Sequence, residues 1–83
     1  MEKILINLYV PAIDKSYDLF APKDLNIGSL VQMFSNSIQE LSDGQYSISG
    51  FEMLMSKDPA LLLHPDCCLG DYGIDDGSLL IMI

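Results

Sequence analysis

The sequence contains no arginine and only four lysines, and this shortage of basic residues limits the partners that the chain can bind. Lys3, Lys15, Lys23 and Lys57 are scattered, whereas twelve residues are acidic and the net charge is −8. Binding to nucleic acid or to an anionic membrane requires clustered basic side chains that neutralise phosphates. We therefore expect no nucleic acid and no membrane surface as a partner, and we expect another protein instead.

Cysteine is also scarce, and its placement argues against a disulfide and a metal site. Cys67 and Cys68 are adjacent. Neighbouring Cα atoms lie about 3.8 Å apart, which is shorter than the roughly 4.4–6.8 Å of ordinary disulfides. We therefore expect free thiols and a reducing, cytoplasmic compartment. With His64 as the one histidine, the pair lacks the ligands of a zinc site or an iron–sulfur cluster, so we expect no metal and no cofactor.

Long apolar runs are missing as well. No stretch of about 18 apolar residues is present, as a membrane-spanning helix would require. The first residues lead directly into an alternating pattern, without the basic and apolar regions of a secretory signal peptide. Hydrophobic residues make up 49% of the 83 positions, which is enough for one small core. We predict a single globular domain over residues 1–83, without direct membrane insertion.

Two alternating stretches predict a β-hairpin at the start of the chain. Apolar residues occupy every second position over residues 3–10, which Pro11 ends, and over residues 16–21, which Pro22 ends. The short turn between them favours antiparallel pairing.

From Ile27 onward the apolar period changes from two to 3.6 residues, which is typical of an amphipathic helix. Asn26 is a suitable N-cap, and Ser42-Asp43-Gly44 is a C-terminal stop. The apolar stripe consists of Ile27, Leu30, Val31, Phe34, Ile38 and Leu41.

Three further strands are predicted, over residues 51–55, over residues 61–63, and from Leu79 to Ile83, where every residue is apolar. The element order is then β-β-α-β-β-β. This order favours the α+β class, with a mixed sheet of four to five strands packed on one helix. The first and last strands are apolar enough to lie side by side at the centre of the sheet.

The turn before the last strand resembles a segment of ubiquitin. Leu69-Gly70-Asp71-Tyr72-Gly73-Ile74 is similar to the Leu-Ser-Asp-Tyr-Asn-Ile that precedes the final strand of ubiquitin. The resemblance implies a ubiquitin-like β-grasp fold over nearly the whole chain. It also implies that the Tyr72 hydroxyl ties the turn to a neighbouring loop.

More closely, the chain resembles the YukD/EsaB family, small bacterial ubiquitin-like proteins associated with type VII (WXG100) secretion systems. The family pattern has an Asp-Leu-x-Leu strand, an Asn-Lys-Asp turn and a Leu-Ser-Asp-x-Gly-Ile-x-Asn-Gly-Asp-x-Leu ending. The matching segments here are residues 18–21, 56–58 and 69–80, with Phe20 and Ala21 as departures. The resemblance implies a cytoplasmic, non-conjugating adaptor that serves such a secretion system as an accessory component.

Catalytic patterns are missing from the sequence. With His64 as the one histidine and no glycine-rich phosphate loop, neither a nucleophilic triad nor a nucleotide site is indicated. We expect no enzyme. The less favoured alternative is a ubiquitin-like modifier or sulfur carrier that acts through its C-terminus. Such proteins use a terminal Gly-Gly, and we expect that Met82-Ile83, inside the predicted last strand, cannot serve that role.

The alternation predicts which side chains face the helix and which face away from it. The inward set is Ile4, Ile6, Leu8, Leu19, Met53, Met55, Leu80 and Met82. The candidate protein-binding face on the other side of the sheet consists of Leu5, Leu54, Leu79, Ile81 and Ile83. By resemblance, Leu54 and Ile83 fall where ubiquitin has its hydrophobic recognition patch.

The partner of this face is left open by the sequence. It is another protein, such as a secretion-system component, or a second copy that forms a homodimer through the same face. Glu52 is expected among these residues, where it would favour a partner with a matching cation. The alternatives to a binding face are that the loop of residues 64–68 covers it, or that a one-residue slip reverses some positions.

Overall fold

The computed structural model describes residues 2–83, which form five strands, one α-helix and one short 3₁₀ helix. The elements are β1 Lys3–Val10, β2 Lys15–Pro22, α1 Ile27–Leu41, β3 Leu54–Lys57, β4 Ala60–Leu62, the 3₁₀ helix Leu69–Tyr72 and β5 Ser78–Met82. Across residues 2–83, no helix combines the length and the apolar character that crossing a membrane would need.

The strands form one mixed sheet with the order β2-β1-β5-β3-β4. β1 is antiparallel to β2 and parallel to β5, and β3 is antiparallel to both β5 and β4. The predicted α+β class, the hairpin and the adjacent first and last strands are therefore confirmed. The sheet has five strands, with β5 at its centre.

Helix α1 begins where the sequence predicts, because Asn26 caps it. The Oδ1 atom of Asn26 accepts a 2.8 Å hydrogen bond from the amide of Ser29. The amides of Ile27 and Gly28 donate to the carbonyl oxygens of Cys67 and Pro65 at 2.7 and 3.0 Å. These bonds hold the loop of residues 64–68 against the start of the helix.

The core lies between α1 and the sheet. It contains the inward side chains of β1 and β5, as the alternation predicts, together with Ile27, Leu30, Phe34 and Ile38 of the predicted helical stripe. Val31 is half-buried against this core. Leu41 is 57% exposed, so its assignment to the buried stripe is wrong: it is the last residue of α1, where the sheet no longer covers it. Leu19 is half-buried and packs against this core. The buried apolar residues are Ile4, Ile6, Leu8, Val10, Ala21, Ile27, Leu30, Phe34, Ile38, Tyr46, Leu54, Leu63, Leu69, Ile74, Leu80 and Met82.

The predicted facing of β3 is wrong by one residue. The sequence pattern places Leu54 on the outer side, but its side chain is 1% exposed, and it pairs with the inward residue Met82. The same pattern places Met53 and Met55 in the core, but Met55 pairs with the outward residue Ile81, and Met53 is 47% exposed. Because the side-chain period of a strand is two, a slip of one residue moves every side chain to the other face.

Candidate protein-binding face

The sheet face opposite α1, which we call the outer face, presents apolar side chains from all five strands. Ile81 of the central strand lies between Tyr9 and Met55, and Leu5 lies opposite Phe20. The apolar residues of the outer face are Leu5, Phe20, Met53, Met55, Leu62, Leu79, Ile81 and Ile83.

Several of these side chains are well exposed to solvent. Phe20 is 67% exposed, and Leu62 and Ile83 are more than half exposed. Leu79 and Ile81 are half-buried among their neighbours. Contiguous exposed apolar surface on a small protein is typical of an interaction site, whereas isolated exposed leucines are common everywhere.

Four of the five predicted face residues lie on the outer face, and one does not. Leu5, Leu79 and Ile81 are placed there by the strand pairing, and Ile83 by its backbone hydrogen bonds with Met53, whereas Leu54 lies in the core. Four further apolar residues of the outer face, exposed or half-buried, were not predicted to lie there: Phe20, Met53, Met55 and Leu62. The alternation of β2 was sufficient to indicate Phe20, because its neighbours Leu19 and Ala21 face inward.

The centre of the outer face has a shallow depression that contains one charged side chain. Its lining consists of Asn7, Tyr9, Ser16, Lys57, Leu79 and Ile81. Among residues 2–83 the ion pairs engage Lys23 and His64, and none engages Lys57. The outer face therefore offers a partner apolar surface next to an ammonium group.

The acidic side chains that border the depression are already engaged within the chain. Asp14 accepts a 2.7 Å hydrogen bond from the Tyr9 hydroxyl, and Asp18 accepts a 3.0 Å bond from the side-chain amide of Asn7. The bond to Asp14 raises the pKa of Tyr9, so this hydroxyl stays protonated as a donor at neutral pH.

Glu52 does not lie on the outer face, so the prediction of a partner cation beside it there is wrong. Its Oε2 atom accepts 2.6 Å hydrogen bonds from the Tyr46 hydroxyl and from the amide of Ser49, and its Oε1 atom accepts a 3.0 Å bond from the amide of Gly50. Burial alone would raise the pKa of Glu52, but these hydrogen bonds outweigh it and lower the pKa to about 2. The carboxylate thus organises its own loop.

The loop of residues 64–68 also leaves the outer face uncovered, since it is bonded to the start of α1 on the other side of the sheet. The Tyr72 hydroxyl accepts a 2.9 Å bond from the amide of His64, which confirms the tie implied by the resemblance. Cys67 and Cys68 are free thiols, and residues 2–83 contain no cluster of side chains suited to a metal ion.

Comparison with known proteins identifies the fold. No protein-family model and no curated protein sequence matches the chain. Among solved structures, the ubiquitin-like domain of Arabidopsis thaliana protein At2g32350 is similar, with a TM-score of 0.70 and 18% identity over 100% of this chain and 78% of that chain.

Two further similar structures come from a type VII secretion system protein and from an inner membrane complex. The ubiquitin-like domain of the Mycobacterium tuberculosis type VII secretion system protein ECCD1 matches with a TM-score of 0.68 and 18% identity, over 100% of this chain and 99% of that chain. A chain of the MycP5-free ESX-5 inner membrane complex matches with a TM-score of 0.72 and 12% identity, over 100% of this chain and 21% of that chain. At these identities the likeness concerns the fold, and the chain has the ubiquitin-like β-grasp fold.

Proposed function

We propose that this chain is a non-conjugating ubiquitin-like adaptor that binds another protein through its outer face and performs no catalysis. The observation that carries the proposal is the continuous apolar surface around Ile81. The resemblance to the YukD/EsaB family and the likeness to the ECCD1 domain and the ESX-5 chain support a role as accessory component of a bacterial type VII secretion system. Such a component would act in the cytoplasm.

The structure of the outer face supports a specific mode of binding. Ile81 is half-buried and paired on both sides, with Tyr9 and Met55, and the half-buried Leu79 is paired with Asn7. Both residues therefore lose little conformational freedom when a partner covers them. Apolar groups at the centre of a desolvated patch contribute most of the binding energy. Lys57 at its side would select a partner that brings a carboxylate close to the apolar contact.

Affinity capture from a lysate of the source organism tests the proposal, with Ile81→Asp as the variant. A matched control is Leu41→Asp, because Leu41 is 57% exposed on α1, away from the outer face. We expect the wild type and Leu41→Asp to retain the same protein and Ile81→Asp to lose it. Circular dichroism establishes that both variants are folded. If folded Ile81→Asp still captures that protein, the outer face is not its binding site.

A homodimer through the outer face is the second candidate, favoured by the continuity of that surface across the sheet. A two-fold axis would pair the patch with its copy, although two chains of net charge −8 repel each other. Analytical ultracentrifugation over a range of protein and salt concentrations distinguishes the two cases. A dimer that Ile81→Asp dissociates would support self-association instead of a separate partner.

The modifier or carrier alternative has its own test. The natural protein is incubated with ATP and cell extract, and the intact mass is measured. We expect no covalent adduct, because the proposed activity is binding alone. A stable mass increase at the C-terminus would contradict the non-conjugating assignment.

A further inference from the structure

A groove runs between α1 and the β4 edge of the sheet, apart from the depression at the centre of the outer face. Its cavity volume is about 310 Å³. One wall comes from the first turns of α1 and the other from the segments that precede β3 and follow β4. The lining of this edge groove includes Gly28, Val31, Glu52, Met53, Leu62 and Leu63.

Among residues 2–83, Glu52 is the one charged side chain in the lining of the edge groove. Its low pKa, about 2, keeps the carboxylate ionised at neutral pH. Three hydrogen bonds occupy it, two on Oε2 and one on Oε1. A carboxylate has about four acceptor positions, so Oε1 retains one for a donor that enters the groove. An apolar groove with an ionised carboxylate at its wall matches an apolar segment that carries a basic residue.

An anionic occupant does not fit the groove. The amides of the first turn of α1 are all engaged, since Ile27 and Gly28 donate to the loop of residues 64–68 and Ser29 and Leu30 donate to Asn26. The helix therefore offers no free amide to an anion.

A second copy of the chain is also a poor occupant. The exposed aromatic residue at the rim is Phe51, which is 86% exposed and lies next to Glu52 in the sequence. Its insertion into the groove of another copy would bring the two Glu52 carboxylates together. None of the four lysines lines the groove to offset that repulsion.

We infer that the edge groove binds a segment of a protein partner that inserts apolar side chains between α1 and β4 and places a lysine or arginine beside Glu52. Phe51 is positioned to pack on the seated segment, because the Glu52 hydrogen bonds and its own amide bond to Ser49 Oγ at 3.1 Å fix its loop. The chain then has a second binding surface, which meets the outer face at Met53 and Leu62.

The test uses a random peptide library displayed on phage, selected against the full chain. Two variants form a matched pair. Glu52→Gln removes the charge and, with its NH2 group toward Gly50, one hydrogen bond of the loop, whereas Tyr46→Phe removes one hydrogen bond of the loop and keeps the charge. Selected peptides are synthesised, their affinities are measured at low and high salt, and their sites are mapped by amide chemical shifts.

We expect the selected peptides to combine apolar residues with a lysine or arginine and to shift the amides of Gly28, Val31 and Leu63. Their affinity should fall about fivefold in Glu52→Gln, the effect of an exposed ion pair. It should be retained in Tyr46→Phe and in Ile81→Asp. Ile81→Asp changes the outer face but not the edge groove, so the two proposals can fail independently.

Several results would overturn the inference. They are a selection that yields no binding peptide, peptides that lack a basic residue, shifts confined to Leu5, Leu79 and Ile81, or equal losses of affinity in Glu52→Gln and Tyr46→Phe. Equal losses would mean that the order of the loop controls binding and that the charge of Glu52 does not.

Discussion

The hydroxyl of Tyr46 donates a 2.6 Å hydrogen bond to Oε2 of Glu52, and this contact closes the loop that joins α1 to β3. Tyr46 is only 7% exposed, so the bond ties the loop to the core. Burial, followed by the bond to Glu52, raises the pKa of Tyr46, and the hydroxyl remains a donor. The loop folds around the carboxylate of Glu52. As a consequence, β3 begins only at Leu54.

The Glu52 carboxylate should make stability depend on pH in the acidic range. Its folded pKa of about 2 lies below its ordinary value of 4.5, so the stabilisation is fully present above pH 4.5 and is lost as the pH falls toward 2. The free energy of unfolding, measured by urea denaturation, should therefore fall more steeply over this range in the wild type than in Glu52→Gln. Parallel pH profiles for the two proteins would contradict this assignment.

The stability costs of replacing Leu54 and Met55 should show which of these two residues of β3 faces the core. Leu54→Ala removes a fully buried side chain and should cost about 3 kcal/mol of unfolding free energy. Met55→Ala, on the half-buried outer side, should cost about 1 kcal/mol or less. Urea denaturation of both variants measures the difference. The opposite order would support the facing predicted from the sequence, with Met55 in the core and Leu54 on the outer side.

Most of the fold can be predicted from the sequence, because local signals and tertiary packing agree there. The alternation of β1 stops at Pro11, which cannot donate to a ladder. The helical period begins directly after Asn26, whose side chain caps α1 as expected. Leu80 and Met82 of β5 are buried, and Ile83, which directly follows β5, is exposed, as the alternation requires once β5 is central.

The facing of β3 could not be read from the sequence, for a physical reason. Apolar residues occupy both parities in Phe51-Glu52-Met53-Leu54-Met55, so alternation does not decide between them. The facing of β3 is determined instead by Tyr46, Ser49 and Gly50, because their hydrogen bonds to Glu52 compete with strand pairing. The edge groove could not be predicted from the sequence either, since it depends on how the loop of residues 64–68 packs on α1.

Gly28→Ala should stabilise the protein. A Cβ atom at this position would meet its nearest neighbours, Asn26 and Pro65, at 3.5 Å, an ordinary contact distance. Alanine loses less backbone freedom on folding than glycine, so the gain should be about 0.5–1 kcal/mol. The matched control is Gly73→Ala, because Gly73 has a φ of 68° and alanine there should cost about 1 kcal/mol. If Gly28→Ala and Gly73→Ala shift the urea midpoint in the same direction, the prediction of opposite effects is contradicted.

Tyr72→Phe should loosen one loop and leave the core intact. The Tyr72 hydroxyl accepts the amide of His64 at 2.9 Å, while its ring packs against the core. Phenylalanine keeps the ring contact, and water can replace the lost acceptor at the exposed His64, so the cost should be about 1 kcal/mol. Hydrogen exchange should therefore accelerate at the amide of His64 and remain slow at Ile6, which is fully buried. Unchanged exchange at His64 would show that the 3₁₀ turn is held to this loop by packing and that the hydroxyl adds nothing.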